Sequence, residues 1–176
     1  PPRIEVGGVA ENAVQISNAD NIVLSGLELT NNGPGSAAIR RGVFVNMVDH
    51  GVARNIALRD LYIHDVNGTN ERKDNGGIVF SALGPTVPTR FEGITIERNI
   101  IWKVDRSGIA GISDQVNVAR WFPSRFVVIR DNVLEDIGGD GIVPRGADGT
   151  LVEHNIVRHA ARRAPGHNVA IWQWGT

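Results

Sequence analysis

A unit of about 30 residues repeats along the chain, and no other feature constrains the fold as strongly. One short pattern recurs in six segments, namely NAVQI (12–16), RGVFV (41–45), GGIVF (76–80), SGIAG (107–111), DGIVP (140–144) and HNVAI (167–171). The second positions of these segments are separated by 29, 35, 31, 33 and 27 residues. Self-similarity of this kind indicates a solenoid, in which each unit packs against its neighbours.

A second row follows each of the first five segments. It consists of an alternating apolar run, a two-residue polar or glycine step and another alternating run, as in FVVIRDNVLEDI at 126–137. Period-two alternation predicts short strands, because the apolar residues of a helix would recur at three and four. Each unit should therefore hold about three strands and no helix.

Two stacked features follow from the repeat. Three of the polar steps end in Asn99, Asn132 and Asn155, a residue type that tolerates left-handed backbone and hydrogen-bonds its neighbours, so we predict an asparagine ladder at one corner. Equivalent positions should also form one apolar column inside the solenoid. Its predicted members are Val14, Val43, Ile78, Ile109, Ile142 and Val169.

The coil length, the asparagine corner and the glycine-rich entry to the first strand resemble the right-handed parallel β-helix of the pectate-lyase-like superfamily. The resemblance covers nearly the whole chain. It implies an all-β fold of about five to six coils, in a single domain over residues 1–176. Neither end shows the polar cap of a complete solenoid, so we expect a fragment of a longer helix, truncated at both ends. Further coils of the same chain, or a covering partner, would then close the open ends.

Charge and composition narrow the partners. The chain has 18 Lys plus Arg against 19 Asp plus Glu, which leaves no electrostatic footprint for nucleic acid or an anionic membrane. No apolar run approaches the roughly 18 residues of a membrane helix, and the absence of cysteine excludes disulfides and thiolate metal sites. Members of the superfamily mostly act on polysaccharides, so the resemblance implies a polysaccharide partner and an extracellular or periplasmic location.

Long loops point to the side of the solenoid where a ligand would bind. The segments HDVNGTNERKDNGG (64–77) and ISDQVNVARWFPSR (112–125) flank the row of first strands, and ARRAPGH (161–167) is a shorter third insertion. A groove over the first-strand row is therefore the predicted substrate site.

Two carboxylates are candidates for catalysis in that groove. Asp105 and Asp140 lie one coil apart with an offset of two residues, which gives a separation of about 8 Å. This lies inside the approximate 6.5–9.5 Å range of inverting glycoside hydrolases. His167 would lie one coil beyond Asp140 and orient it, and Arg145 would clamp a carboxylate. The alternative reading of Asp140 is a turn residue between two glycines.

The acid-then-histidine order of GDGI and GHNVAI resembles that of polygalacturonase-like β-helix hydrolases. Those enzymes have paired aspartates and a Gly-His-Gly triplet. Here the equivalent positions read Gly139-Asp140 and Gly166-His167-Asn168. The resemblance therefore supports the groove more than it supports their mechanism.

Sugar binding and metal binding have their own candidates. Exposed indoles stack on sugar rings, which favours Trp121, Trp172 and Trp174 as substrate-binding residues together with Arg106 and Lys73. A hydrolase needs no cofactor. A lyase would use Lys73, Arg106 or Arg145 as clamp or base, and Ca²⁺ held by Asp74, Asp105 and Asp114.

Three functions remain open on the sequence. Because carboxylates outnumber basic side chains in the predicted column, glycoside hydrolysis is slightly favoured over calcium-assisted β-elimination by a polysaccharide lyase. A non-catalytic structural or adhesive β-helix is the third interpretation, since a fold does not define a function.

Overall fold

The computed structural model describes residues 1–173, and within them the chain winds through three parallel sheets. The first-strand sheet contains β2 (Asn12–Ser17), β5 (Arg41–Val48), β8 (Gly76–Leu83), β11 (Ser107–Ser113) and β14 (Ile142–Pro144). The second-strand sheet contains β3 (Ile22–Ser25), β6 (Val52–Arg59), β9 (Arg90–Glu97), β12 (Ser124–Arg130) and β15 (Ala147–Asp148), and β16 (Leu151–Glu153) also pairs with β12. The third-strand sheet contains β1 (Arg3–Glu5), β4 (Glu28–Asn31), β7 (Tyr62–Val66), β10 (Ile100–Val104), β13 (Val133–Ile137) and β17 (Ile156–Arg158).

Each sheet is built from equivalent strands of successive coils, which pair side by side in parallel. The predicted parallel β-helix with three strands per coil is confirmed. A single turn of 3₁₀ helix, Val118–Arg120, interrupts the loop between β11 and β12. Within the described residues, no helix has the length and apolar character needed to cross a membrane.

The apolar column of the first-strand sheet is confirmed for five of its six members. Val14 pairs with Val43, and Val43 pairs with Ile78. Ile78 pairs in turn with Ile109, and Ile109 pairs with Ile142. The sixth assignment is wrong, because Ile171, and not Val169, pairs with Ile142. A shift of two residues keeps the same face of a strand inward, so the alternating pattern could not distinguish the two registers.

Glycine recurs in the first strands because the third-strand side chains need its space. A Cβ atom at Gly42 would collide with Ile63, and one at Gly108 would collide with Leu134. Close packing leaves no room for even one methyl group at these positions. The glycines of the repeat therefore mark where two sheets approach each other across the core.

The predicted asparagine ladder is also confirmed. The side-chain amide of Asn99 donates to Asn132 Oδ1 at 2.9 Å, and that of Asn132 donates to Asn155 Oδ1 at 2.9 Å. The left-handed backbone falls on the residue before each asparagine, as at Asp131, where φ is 55°. The asparagines therefore supply hydrogen bonds between coils, while their neighbours make the sharp turn.

Candidate functional site

Asp140 lies in the corner that leads from β13 to β14, and its side chain is fully buried. Its Oδ2 atom accepts a hydrogen bond from Lys73 Nζ at 2.8 Å. Its Oδ1 atom accepts from Trp172 Nε1 at 3.0 Å and from the Val169 backbone N–H at 3.1 Å. Both carboxylate oxygens are therefore held by donors, which come from two segments of the chain, the loop 67–75 and the stretch 169–172.

Lys73 connects these segments across the surface. It comes from the long loop 67–75, and besides Asp140 its ammonium donates to the His167 carbonyl at 3.1 Å. The same ammonium lies 4.5 Å from the centre of the Trp172 ring, which is a cation–π distance. Its side chain is 38% exposed, so Lys73 forms the outer surface over the buried carboxylate.

Arg106 lies beneath this cluster. Its Nη1 atom is 3.6 Å from Asp140 Oδ2 and donates to the side chain of Asn168. Burial lowers the pKa of the Arg106 guanidinium, and the charge of Asp140 acts in the opposite direction. A Cβ atom at Gly139 would collide with the Arg106 guanidinium, which explains the glycine that precedes Asp140.

A cleft of about 470 Å³ opens over the cluster, and we call it the Lys73 cleft. It is lined by Glu71, Lys73, Arg106, Pro165, Gly166, His167 and Trp172. Lys73 also lines a depression of about 310 Å³ with Asp74 and Arg145, and Glu71 lines another of about 420 Å³. The three are neighbours, because the Lys73 cleft shares Lys73 with the first depression and Glu71 and Pro165 with the second.

The structure does not bring Asp105 to this cleft. Gly139 N–H bonds to the Arg106 carbonyl, so the coil offset between Asp105 and Asp140 is the one expected. The Asp105 carboxylate, however, accepts from the Gly68 backbone N–H at 3.3 Å and pairs with Arg163 Nε at 3.3 Å. The two carboxylates thus have separate partners, and Asp105 is not among the residues that line the Lys73 cleft.

The position predicted for His167 is wrong by two residues. Val169, not His167, lies beside Asp140, because Gly141 N–H bonds to the Val169 carbonyl. His167 contributes its carbonyl to Lys73 and lines the cleft. This is the same slip in register that misplaced Val169 in the core.

Arg145 and Asp74 line the depression next to the Lys73 cleft. Burial lowers the pKa of the Arg145 guanidinium. Asp74 Oδ2 lies 3.0 Å from Arg41 Nη2 and 2.8 Å from Arg72 Nη2. Burial opposes ionisation of Asp74, but the hydrogen bond from Arg72 and the charge of Arg41 outweigh it and lower the pKa of this carboxyl.

The three aspartates predicted for a calcium site lie apart. Asp74 faces two arginines and Asp105 faces a third, whereas Asp114 Oδ1 accepts from the Gly84 backbone N–H at 2.9 Å. Throughout residues 1–173, no group of three or more His, Asp or Glu side chains is arranged to hold a metal ion. The side chains present therefore do not fit the calcium site expected for a lyase.

The three predicted sugar-stacking tryptophans have different outcomes. Trp172 lines the Lys73 cleft. Trp121 lies in a separate cleft of about 480 Å³ at the other end of β11. Trp174 lies outside the described residues.

Glu71 is a cleft residue that the sequence analysis missed. It is the carboxylate among the residues that line the Lys73 cleft, and its backbone N–H bonds to Thr69 Oγ1 at 3.3 Å. A signal was available, since Glu71 stands two residues before Lys73 in a long loop of the predicted groove wall.

Together, the coiled sheets and the polar groove define a parallel β-helix protein with a surface cleft built around a buried carboxylate. Comparison with known proteins agrees with this fold. A family model described as "right handed beta helix region" matches residues 3–176, and the chain belongs to this family.

Among known proteins, the chain is similar to lacto-N-biosidases. It is 32% identical to a lacto-N-biosidase from Bifidobacterium longum subsp. longum, over 58% of this chain and 8% of that protein. Two crystal structures of a GH136 lacto-N-biosidase from Eubacterium ramulus also match. The native protein superposes with a TM-score of 0.75 at 27% identity, over 88% of this chain and 32% of that one. The selenomethionine derivative superposes with a TM-score of 0.72 at 31% identity, over 82% of this chain and 27% of that one. The chain thus spans less than a third of each relative.

Proposed function

We propose that this chain is the β-helix of a glycoside hydrolase and that the Lys73 cleft is its active site, acting on a glycan outside the cytoplasm. One observation carries the proposal. A fully buried carboxylate, Asp140, is paired with an exposed lysine beside an indole in a surface cleft. Buried charges are costly to maintain, and such arrangements concentrate at functional sites.

The two oxygens of Asp140 are held in different ways, which assigns them different roles. A backbone N–H and a half-buried indole hold Oδ1, and both of these donors have little freedom to move. Oδ2 is covered by the long, partly exposed side chain of Lys73. A sugar that draws the ammonium aside would gain access to Oδ2, while Oδ1 keeps the carboxylate in place. Asp140 would then act as nucleophile or as base toward water.

A glycosidase also needs a carboxyl group that protonates the leaving oxygen. Glu71 is the candidate, because it lines the same cleft and its side chain reaches solvent. Asp105, which the sequence suggested for this role, is engaged by Arg163 instead. Trp172 offers an apolar ring on which a sugar could stack next to both carboxylates.

The names of the relatives suggest the first substrate to test. Both are lacto-N-biosidases, so the proposed substrate class is a glycan that carries a lacto-N-bioside unit. The assay is release of the chromophore from an aryl lacto-N-bioside by the full chain, together with a panel of other aryl glycosides and polysaccharides. New reducing ends support hydrolysis, absorbance of an unsaturated uronate would support elimination, and no product from any glycan would contradict an enzymatic function.

The cleft is tested with matched variants. In Asp140→Asn, turnover should fall by about 100-fold or more, because the ionisable group is lost while the side-chain volume is kept. The control is Asp105→Asn, which should stay within a few-fold of the parent. Thermal unfolding of both proteins checks the fold, since Asp140 is also the counter-charge of Arg106. Equal losses in the two variants would place the active site elsewhere.

A further inference from the structure

A second cleft lies at the opposite end of the first-strand sheet from Asp140. It is formed by the turn 84–89, which links β8 to β9, and by the segment 114–123, which links β11 to β12. Arg106 and Asp140 lie near the start of β11, whereas this cleft begins after its last residue, Ser113. Seven residues of strand span about 20 Å. The two clefts have no lining residue in common.

The walls of this cleft are joined to each other by hydrogen bonds. Gln115 is 2% exposed, and its Nε2 atom donates to Asp114 Oδ1 at 2.8 Å and to the Gly84 carbonyl at 3.3 Å. The Gly84 backbone N–H donates in turn to Asp114 at 2.9 Å. At the far end, the Arg90 guanidinium lies 4.5 Å from the centre of the Phe122 ring. The cleft is therefore preformed in the folded protein, which reduces the entropy lost on binding.

The lining combines flat apolar surfaces with polar groups. Trp121 is 41% exposed, and Pro85, Pro88 and Val118 lie around the same space. Thr86 and Arg120 supply a hydroxyl and a guanidinium. The volume of about 480 Å³ is in the range of ligand sites, which pair apolar walls with a few polar groups.

We propose that this second cleft, which we call the Trp121 cleft, is a non-catalytic binding site for an oligosaccharide. A sugar ring presents C–H groups on its face and hydroxyls at its edge, which matches an indole and prolines bordered by polar side chains. No acidic side chain is among the lining residues, and Arg120 provides a positive charge, so the site suits a neutral or carboxylate-bearing sugar. The class of ligand rests on the proposed glycoside hydrolase function.

Such a site would hold a branched or polymeric glycan while a different part of it enters the Lys73 cleft. Loss of the second site should therefore raise KM for a large glycan without changing turnover of a small substrate. Loss of a residue that only stabilises the fold would change both the KM for the large glycan and the turnover of the small substrate.

The experiment is calorimetric titration of the full chain with lacto-N-biose and with its sialylated form, followed by kinetics. We expect about two sugars bound per chain in the parent and one in Trp121→Ala. Trp121→Phe, which keeps an aromatic face, should retain the second site with weaker affinity. Arg120→Gln should weaken the sialylated sugar by about tenfold and the neutral sugar by less. The control Trp102→Ala removes a comparably exposed indole from the third-strand sheet and should leave two sites.

Kinetics separates this inference from the proposed function. In Trp121→Ala, kcat/KM for an aryl lacto-N-bioside should stay within twofold of the parent, while KM for a glycoprotein substrate rises about tenfold. Unchanged stoichiometry and unchanged KM in Trp121→Ala would overturn the second site even if the enzyme is active. Conversely, a Trp121-dependent site in a chain that cleaves no glycan would overturn the hydrolase function and leave the binding site standing.

Discussion

The two corners on either side of the third strand differ in how their lengths vary. The corner between the second and third strands has two residues in every coil, at 26–27, 60–61, 98–99, 131–132 and 154–155, and we call it the ladder corner. The corner between the third and first strands, the groove corner, has nine residues at 32–40 and 67–75, two at 105–106 and four at 138–141.

Where the corner length is constant, equivalent residues of successive coils stack on each other. Where the corner length varies, residues that are not equivalent in the repeat come into contact. At the ladder corner, Asn99 meets Asn132 and Asn132 meets Asn155, and each amide satisfies the next. At the groove corner, Lys73 meets Asp140 across 67 residues of sequence. A repeat can therefore stabilise itself at one corner while the other corner varies and builds a site.

The largest expected effect comes from changing corner length. Insertion of one glycine between Arg130 and Asp131 should cost on the order of 5 kcal/mol or prevent folding, because it breaks the ladder and shifts the strand after it by one residue. The same insertion between Asn70 and Glu71, in the long loop of the groove corner, should cost less than about 1 kcal/mol. Urea unfolding of both proteins measures the difference, and equal costs would erase the distinction between the corners.

The next effect is the loss of one ladder residue. Asn132 is buried, its amide also donates to the Ile96 carbonyl at 2.9 Å, and its Oδ1 accepts from the Asn99 backbone N–H at 3.0 Å. Asn132→Ala leaves these groups without partners, so the free energy of unfolding should fall by about 3 kcal/mol. Asn155→Ala, in the last described rung, is the control and should cost about 1 kcal/mol. Similar small losses in both variants would mean that the ladder contributes little.

A moderate effect is expected at the groove corner, and it should appear in both activity and stability. Lys73→Met keeps the length of the side chain but removes the ammonium that covers Asp140 Oδ2, so kcat/KM should fall by about tenfold. The free energy of unfolding should also fall, by about 1–3 kcal/mol, because the fully buried Oδ2 of Asp140 loses its hydrogen-bond donor. Arg72→Met is the control, since Arg72 pairs with Asp74 in the neighbouring depression. If both variants keep full activity, Lys73 has no role in the reaction.

The smallest effect concerns pH and an ion-pair stack beside the ladder corner. The hydrogen bond from Arg130 lowers the pKa of Glu97 below its usual 4.5; burial opposes this shift, and Arg98 adds to it. A carboxyl with a lowered pKa stabilises the fold above the unfolded value, and this stabilisation is lost as the pH falls through the folded pKa. Glu97→Gln should therefore lower Tm by about 2 °C at pH 7.

The pH dependence of this effect tests whether it comes from the charge of Glu97. The Tm difference between the parent and Glu97→Gln should shrink as the pH falls below 4.5 and through the lowered folded-state pKa, because the carboxyl becomes protonated in both states of the parent. Asp148→Asn, at an exposed position on β15, serves as the control and should shift Tm little at either pH. A difference that persists in acid would assign the effect of Glu97 to packing instead of charge.

Much of the fold could be predicted because it depends on periodicity. Alternating apolar residues predicted the strands, and equal spacing predicted that Ile78, Ile109 and Ile142 stack. The prediction failed at Val169, because the insertion 161–167 precedes this strand and its path cannot be deduced from the repeat. Local pattern defines which face of a strand points inward, but pairing between coils defines which residue stacks on which.

The site could be predicted only in outline. Long loops indicated the groove, and Asp140, Lys73 and Trp172 were named as candidates, yet their mutual contact was not foreseen. We predicted a pair of Asp105 and Asp140 by counting residues along the strands. Such a count does not show the direction in which each side chain points. Arg163, which engages Asp105, comes from an insertion that obeys no repeat.

The sequence by itself determined the elements that repeat, because each coil satisfies its backbone and buries its apolar face in the same way as its neighbours. Strands, glycine positions and the asparagine ladder all belong to this class. The tertiary structure alone decided how Lys73, Asp140 and Trp172 meet, since these residues come from insertions and corners of unequal length. The path of an insertion depends on long-range contacts of charge and hydrogen bonding, which have no period that a sequence can display.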